Sequence, residues 1–259
     1  MRCGIRNLAE DLPDADAVAV CTPTNTHAQI LLDAAARVKH IFCEKPVELS
    51  LERIATINAA LEKAGVSLMV GFNRRFDPNF LKVHEFIKPG KIGAPHVLRI
   101  TSRDPAPPPE HYIRASGGIF LDMTIHDFDL ARYLMGNEVL EVYTKAHVLV
   151  DPASRKAAYG YDQRLEVFGS KGMVTVKNNT PDNHVYLDSV GTHSSWPLNF
   201  FMERYTESYL REMQGFVDSV RENNPVPVTG NDGLMAVAIG LAARKSAKEN
   251  RPVRLSEIH

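Results

Sequence analysis

The sequence predicts an α/β chain in two parts: an incomplete, doubly wound parallel sheet, then an α+β part on an open, mostly antiparallel sheet. Three observations carry this expectation. Short apolar runs alternate with helical periodicity as far as Phe72, the pattern of βαβ units. Strand-like alternation bracketed by helices follows from Pro78 onward. Gly169-Ser170-Lys171-Gly172 then joins two strand-like runs as a hairpin loop would. At 259 residues and 44% hydrophobic content, the chain can close one large core or two modest ones.

Taken in order, residues 17–22, 40–43 and 67–72 read as strands, with helices over 27–38 and 51–64 between them. The second helix is well marked. Ser50 stands at its N-cap, Arg53 replaces the glutamate of a capping box, and Gly65 follows its last turn. Beyond it lie a helix over 78–87, a strand over 96–102, a Pro-rich loop over 104–110 and a helix over 119–134. Strand-like alternation returns over 141–150, 163–168 and 172–177, and helices over 206–221 and 232–249 close the chain.

Thirty Lys and Arg against thirty-one Asp and Glu give a net charge of −1, so neither nucleic acid nor an anionic membrane is an expected partner. Cys3, Cys21 and Cys43 are too few and scattered for a disulfide framework. With Cys21 and Cys43 in apolar runs expected as buried strands, they fit a reducing compartment. No apolar stretch approaches the ~20 residues of a membrane span, and no apolar signal segment follows Met1-Arg2-Cys3-Gly4, so a soluble cytoplasmic protein is expected.

Three segments carry reactive side chains, the first two at the carboxyl ends of parallel strands, where such sheets bind ligands. Thr22-Pro23-Thr24-Asn25-Thr26-His27 offers donors and acceptors suited to a ribose or a nicotinamide amide, although Thr26 could serve only as the N-cap of the next helix. In Cys43-Glu44-Lys45-Pro46 the proline keeps Lys45 out of a helix. The lysine is then presented to a substrate hydroxyl or a neighbouring acid, or is an ordinary solvated one. In the run from Gly117 to Asp129, Asp122 and His126 stand four apart, one turn of a helix. Dehydrogenation of an alcohol needs a group that takes the hydroxyl proton as hydride leaves, and histidine suits that role. Asp122 would orient the imidazole or hold a second hydroxyl. A metal site is the weaker alternative, since no Cys or His cluster of ligand-like spacing surrounds the pair; the bland one is a histidine satisfied by an ordinary hydrogen bond.

These segments, together with Gly71-Phe72-Asn73-Arg74-Arg75-Phe76-Asp77 and the run from Tyr159 to Gly172, resemble the Gfo/Idh/MocA oxidoreductase family over nearly the whole chain, most closely its bacterial-type inositol 2-dehydrogenases. The resemblance implies a partial Rossmann-type NAD(P)-binding domain over residues 1–75. It implies a C-terminal substrate and oligomerisation domain over 76–259, whose last helix packs back toward the first. It further implies hydride transfer from a cyclic polyol such as myo-inositol to NAD, with NADP not excluded, in a homo-oligomer. By the same resemblance Lys45 belongs to a proton relay, His126 is the general acid/base and Asp122 orients the substrate. Thr22, Pro23, Asn25, His27, Glu44 and Lys45 face the cofactor, while Arg74, Asp104, Asp122, His126 and Tyr209 contact the polyol. Asp104 and Asn73 stand where relatives vary, which leaves the particular polyol open.

Two departures qualify the resemblance. The family's G-x-G-x-x-G turn has no counterpart, and the strand at Ala17 corresponds to about the fourth of the usual domain. At ~30 residues per βαβ unit, roughly sixty to eighty residues are expected to be missing ahead of Asn7, with the pyrophosphate cradle and the acidic residue that tells NAD from NADP. After Val150 the chain runs almost directly into the Tyr159 segment, where about two dozen further residues, roughly two strands, are expected. The strand at Ala17 would then be an exposed sheet edge. Three readings follow: an active polyol dehydrogenase; an isoform that binds the dinucleotide weakly or not at all and acts only through subunit assembly; and a dehydrogenase of a related sugar, dihydrodiol or scyllo-inositol.

Overall fold

The computed structural model describes residues 15–106, 108–109, 112, 116–147 and 160–259. Strands β1 (Ala17–Val20), β2 (His40–Glu44) and β3 (Ser67–Gly71) lie parallel in that order, with α1 (Thr24–Ala35) and α2 (Leu51–Lys63) crossing between them. Covered on both faces, β2 buries Ile41, Phe42 and Cys43 in succession. Among the described residues β1 lies at the edge of this sheet, as expected. It stops at Val20, so Cys21 is exposed rather than part of a buried strand. Pro23, not Thr26, stands at the N-cap of α1. Thr26 already lies in the first turn, where its hydroxyl is 2.7 Å from both Thr22 Oγ1 and Pro23 O. Ser50 caps α2 by accepting from the Arg53 amide.

A 3-10 turn (Asn73–Phe76) leads into α3 (Pro78–Ile87), followed by β4 (Pro95–Arg103), α4 (Ile119–Asp122), α5 (Ile125–Met135) and β5 (Glu141–Val142). Then come β6 (Asp162–Gly169), β7 (Gly172–Val176), β8 (Val185–Leu187), β9 (Thr192–Ser194), α6 (Phe201–Glu222), α7 (Gly230–Glu249) and β10 (Val253–Arg254). β6 is the middle strand of an antiparallel β4-β6-β7 sheet, and Gly169 pairs with Gly172 at the expected hairpin. Phe80, Val83, Leu130, Leu134, Leu165, Val167 and Tyr205 form a core on this sheet, separate from the one around the parallel sheet. The β8–β9 pair and β10 escaped the sequence pattern because each strand is only two or three residues long and β8 and β9 bury neither face. The strand expected over 141–150 shrinks to β5, while 148–150 and the site of the expected second gap lie outside the described residues.

The single helix expected over 119–134 is two helices. In an unbroken helix the Asp122 carbonyl would accept from the His126 amide. Instead it accepts from Lys45 Nζ at 2.7 Å, and the His126 amide turns to Met123 O at 3.4 Å. α7 supports this break from below: a Cβ at Gly240 would meet Leu121 Cδ2 at 2.6 Å and Phe120 O at 3.0 Å, so only glycine lets α4 rest so closely on it. Arg75 ties the 3-10 turn to α5 and α7 by holding Asp129 through Nε and Nη2, at 2.8 and 2.5 Å, and Asp232 through Nη2 at 2.9 Å.

Two buried acids on this frame generate predictions. Asp77 is 1% exposed, caps α3 by accepting from the Asn79 and Phe80 amides, and pairs with the buried Arg204 of α6. Asp77→Ala is expected to cost about 3–5 kcal/mol, because it removes the cap and leaves a buried guanidinium without its counter-ion; urea unfolding should show a lower midpoint at unchanged slope. Glu212, also 1% exposed, makes no ion pair among the described residues, and its Oε1 has no hydrogen-bond partner. Burial first, then repulsion from Glu44 and Asp129, pushes its carboxyl from 4.5 up to about 9. A raised carboxyl gives its full stability below its unfolded value and loses it as pH rises toward the folded one. Glu212→Gln should therefore match the parent at pH 4.5 and be the more stable protein at pH 8, as read from urea midpoints at the two pH values.

Candidate active site

The register that pairs Val20 with Cys43 and Glu44 with Gly71 sets the carboxyl ends of all three parallel strands side by side. Thr22, Pro23 and Asn25 are exposed beyond β1, and partly buried Glu44 and Lys45 follow β2. Burial raises the Glu44 carboxyl and Lys45 opposes the rise. His27 does not join the face they make, contrary to expectation. It is 1% exposed, and its ring nitrogens lie 2.9 Å from Pro46 O and 2.7 Å from Thr22 O. A buried ring with both nitrogens engaged has none to offer a ligand, so His27 instead ties the end of β1 to the turn that presents Lys45.

Lys45 precedes a cis peptide bond to Pro46 and extends to α4, where Nζ donates to Asp122 O at 2.7 Å and Oδ1 at 3.1 Å. The same Oδ1 accepts from the Tyr112 hydroxyl at 2.9 Å. Asp122 thus serves Lys45 and not His126, which corrects the shared helix face expected from their spacing; the break between α4 and α5 is the reason. His126 meets the edge of Phe72 at 6.0 Å between ring centroids, and its Nδ1 is buried without a partner. Burial foremost, then the positive charges of Lys45 and Arg74, holds the imidazole well below its usual 6.5. The ring is neutral at pH 7 and can accept a proton.

Around this centre, burial raises the Asp104 carboxyl; Arg74 and Lys45 oppose the rise, and Asp122 and Asp127 add to it. Arg74 is 2% exposed, ion-paired to Asp127 and bonded through Nη1 to Ser102 Oγ at 3.2 Å. Burial acts against its charge, but Tyr205, Asp127 and Tyr161 more than offset this and hold the guanidinium above its ordinary value. Burial first, then Glu44 and Glu212, raises the Tyr209 phenol. The fold thus gathers Lys45, Asp122, His126, Asp104 and Arg74, and adds Tyr112, Ser102 and Asp127, which sequence reasoning missed. Asp127 lay within the recognised motif run, but nothing in the spacing marked it as the partner of Arg74, and a lone tyrosine after a Pro-rich loop carries no pattern.

Among the described residues no three His, Cys, Asp or Glu side chains are grouped to hold a metal ion, and no helix is long and apolar enough to cross a membrane. The residues present fit the nicotinamide end of a dinucleotide. Exposed polar groups follow β1, Glu44 and Lys45 follow β2, and a buried, unpartnered His126 nitrogen lies within electrostatic reach of Lys45.

Residues 84–255 match the oxidoreductase family's C-terminal alpha/beta domain and residues 4–72 its NAD-binding Rossmann fold. The myo-inositol 2-dehydrogenase of Thermotoga maritima is 49% identical over 277 residues, spanning 97% of this chain and 83% of the relative. The aligned stretch is therefore longer than the 259 residues of the whole chain, so the relative carries residues that this chain lacks. The inositol 2-dehydrogenase of Rhizobium meliloti is 42% identical over 98% of this chain and 86% of its own length. The crystal structure of Lactobacillus casei myo-inositol dehydrogenase in complex with NAD(H) and myo-inositol superposes with a TM-score of 0.80, at 26% identity, over 95% of this chain and 79% of that one. With both domains matched and these relatives 42–49% identical over nearly its whole length, the chain belongs to the Gfo/Idh/MocA family of NAD-binding oxidoreductases.

Proposed function

We propose that this chain oxidises one hydroxyl of a cyclic polyol of the inositol type, with Lys45, Asp122 and His126 as its reaction centre. The observation that carries the reading is the Lys45–Asp122 contact at 3.1 Å beside the neutral, half-buried imidazole of His126. Bound NAD supplies the hydride acceptor. As hydride leaves, the Lys45 ammonium, anchored by Asp122 and hydrogen-bonded to the reacting oxygen, passes one proton to the neutral His126 ring and takes up the hydroxyl proton in its place. Asp104, Arg74 and Tyr209 present polar groups to the remaining hydroxyls, and Thr22, Pro23, Asn25 and Glu44 face the cofactor. In this reading residues 1–75 bind the cofactor, residues 76–259 hold the substrate, and the protein works in the cytoplasm. The outer face of β4-β6-β7, which exposes Val97, Phe168 and Met173, pairs subunits into a homo-oligomer. A second reading, an isoform acting only through such pairing, is favoured by the same exposed apolar face.

The test is fluorescence titration with NADH, with myo-inositol-dependent NAD reduction assayed on the same sample. NADH binding and turnover are expected. His126→Asn should lower kcat by about 10²–10⁴-fold while NADH still binds, the range of a lost general base, and Lys45→Met should behave alike. A folded chain showing neither binding nor turnover refutes the enzyme reading and leaves the assembly reading.

A further inference from the structure

Tyr112 and Lys45 hold the same carboxylate oxygen, the phenol hydroxyl at 2.9 Å and the ammonium at 3.1 Å from Asp122 Oδ1. The backbone around Tyr112 is anchored, its amide donating to Pro109 O at 3.0 Å and its carbonyl accepting from the Ser116 amide at 2.9 Å. The ring is 45% exposed, so the hydroxyl is not there to satisfy a core. We propose that Tyr112 is a third member of the Lys45–Asp122 pair, a positioning residue whose phenol shares Asp122 Oδ1 and so sets how tightly that carboxylate holds the Lys45 ammonium. The proposal rests on the reading of Lys45 and Asp122 as part of the reaction centre.

An oxygen that accepts two donors divides its charge between them, so each is held less firmly than it would be alone. Burial first, then Asp122 itself, pushes the Tyr112 phenol up to about 12, and the hydroxyl stays a donor at physiological pH. Without it the whole of Oδ1 turns to Lys45. An ammonium held harder releases its proton less readily, and a lysine in a proton relay must release and regain one. The other charged or titratable groups facing the pair are Glu44 after β2, Arg74 in the 3-10 turn, Asp104 after β4 and His126 on α5. Removing a phenol oxygen leaves every one of them in place. A tyrosine that merely decorates the loop would leave Lys45 as it was.

Tyr112→Phe keeps the ring and deletes only the donor. The experiment is acylation of Lys45 by acetic anhydride as a function of pH, read by peptide mass spectrometry in both proteins, with exposed Lys171 as the internal control. At pH 8, Lys45 labelling is expected to fall about three- to tenfold in the variant, a shift of roughly half to one pH unit, with Lys171 unchanged. The pH profile of polyol-dependent NAD reduction should move in the alkaline direction with it. Coincident labelling curves would overturn the proposal. If the curves separate but Lys45→Met still turns over, the reading of Lys45 as catalytic fails instead, because the labelling reports the Tyr112 contact without any turnover.

Discussion

Lys45 Nζ takes the Asp122 carbonyl at 2.7 Å, an acceptor that an unbroken helix would give to the His126 amide. That exchange ends α4 after one turn and starts α5 afresh. His126 leaves the face that Asp122 occupies, and the imidazole is left beside Lys45 and Phe72 with an unpartnered nitrogen. The same contact joins the parallel sheet to the helices that follow the second sheet's first strand. One lysine thus sets the break between the two helices and contributes to the attachment between the two parts of the chain.

The surroundings hold both ends of that contact. On the lysine side, His27 spans the main-chain carbonyls of Thr22 and Pro46, so the turn carrying Lys45 is braced against the end of β1. On the aspartate side, α4 lies directly on the Gly240 face of α7. Arg75 joins the 3-10 turn to Asp129 on α5 and Asp232 on α7. The Arg75 pairs are buried or half-buried, which gives these charge-assisted bonds more effect than surface pairs have and makes loss of one partner costly.

Electrostatically the site crowds acids around two cations. Burial raises both Glu44 and Asp104; Lys45 opposes the rise at each, and Arg74 opposes it at Asp104. The same cations, after burial, keep His126 neutral. A neutral imidazole beside an anchored ammonium is suited to accept a hydroxyl proton and then return it. The arrangement follows from bringing strand ends and helix starts together rather than from any one motif.

Much of this was legible in the chain. Residues 40–43, 67–72 and 78–87 showed their elements because continuous apolar runs and a Pro-initiated helix are local signals, and Lys45, Asp122 and His126 stood in recognisable segments. What the chain alone determined is the order of its longer elements and the family, since period, turn chemistry and motif spacing are properties of neighbouring residues. Which atoms meet was decided by tertiary structure. The Asp122 carbonyl goes to a lysine 77 residues away, His27 turns inward, Arg74 pairs with Asp127 across 53 residues, and Tyr112 joins Asp122. Those partners are distant in sequence, and hydrogen-bond acceptors are claimed by whichever donor the packed fold brings nearest.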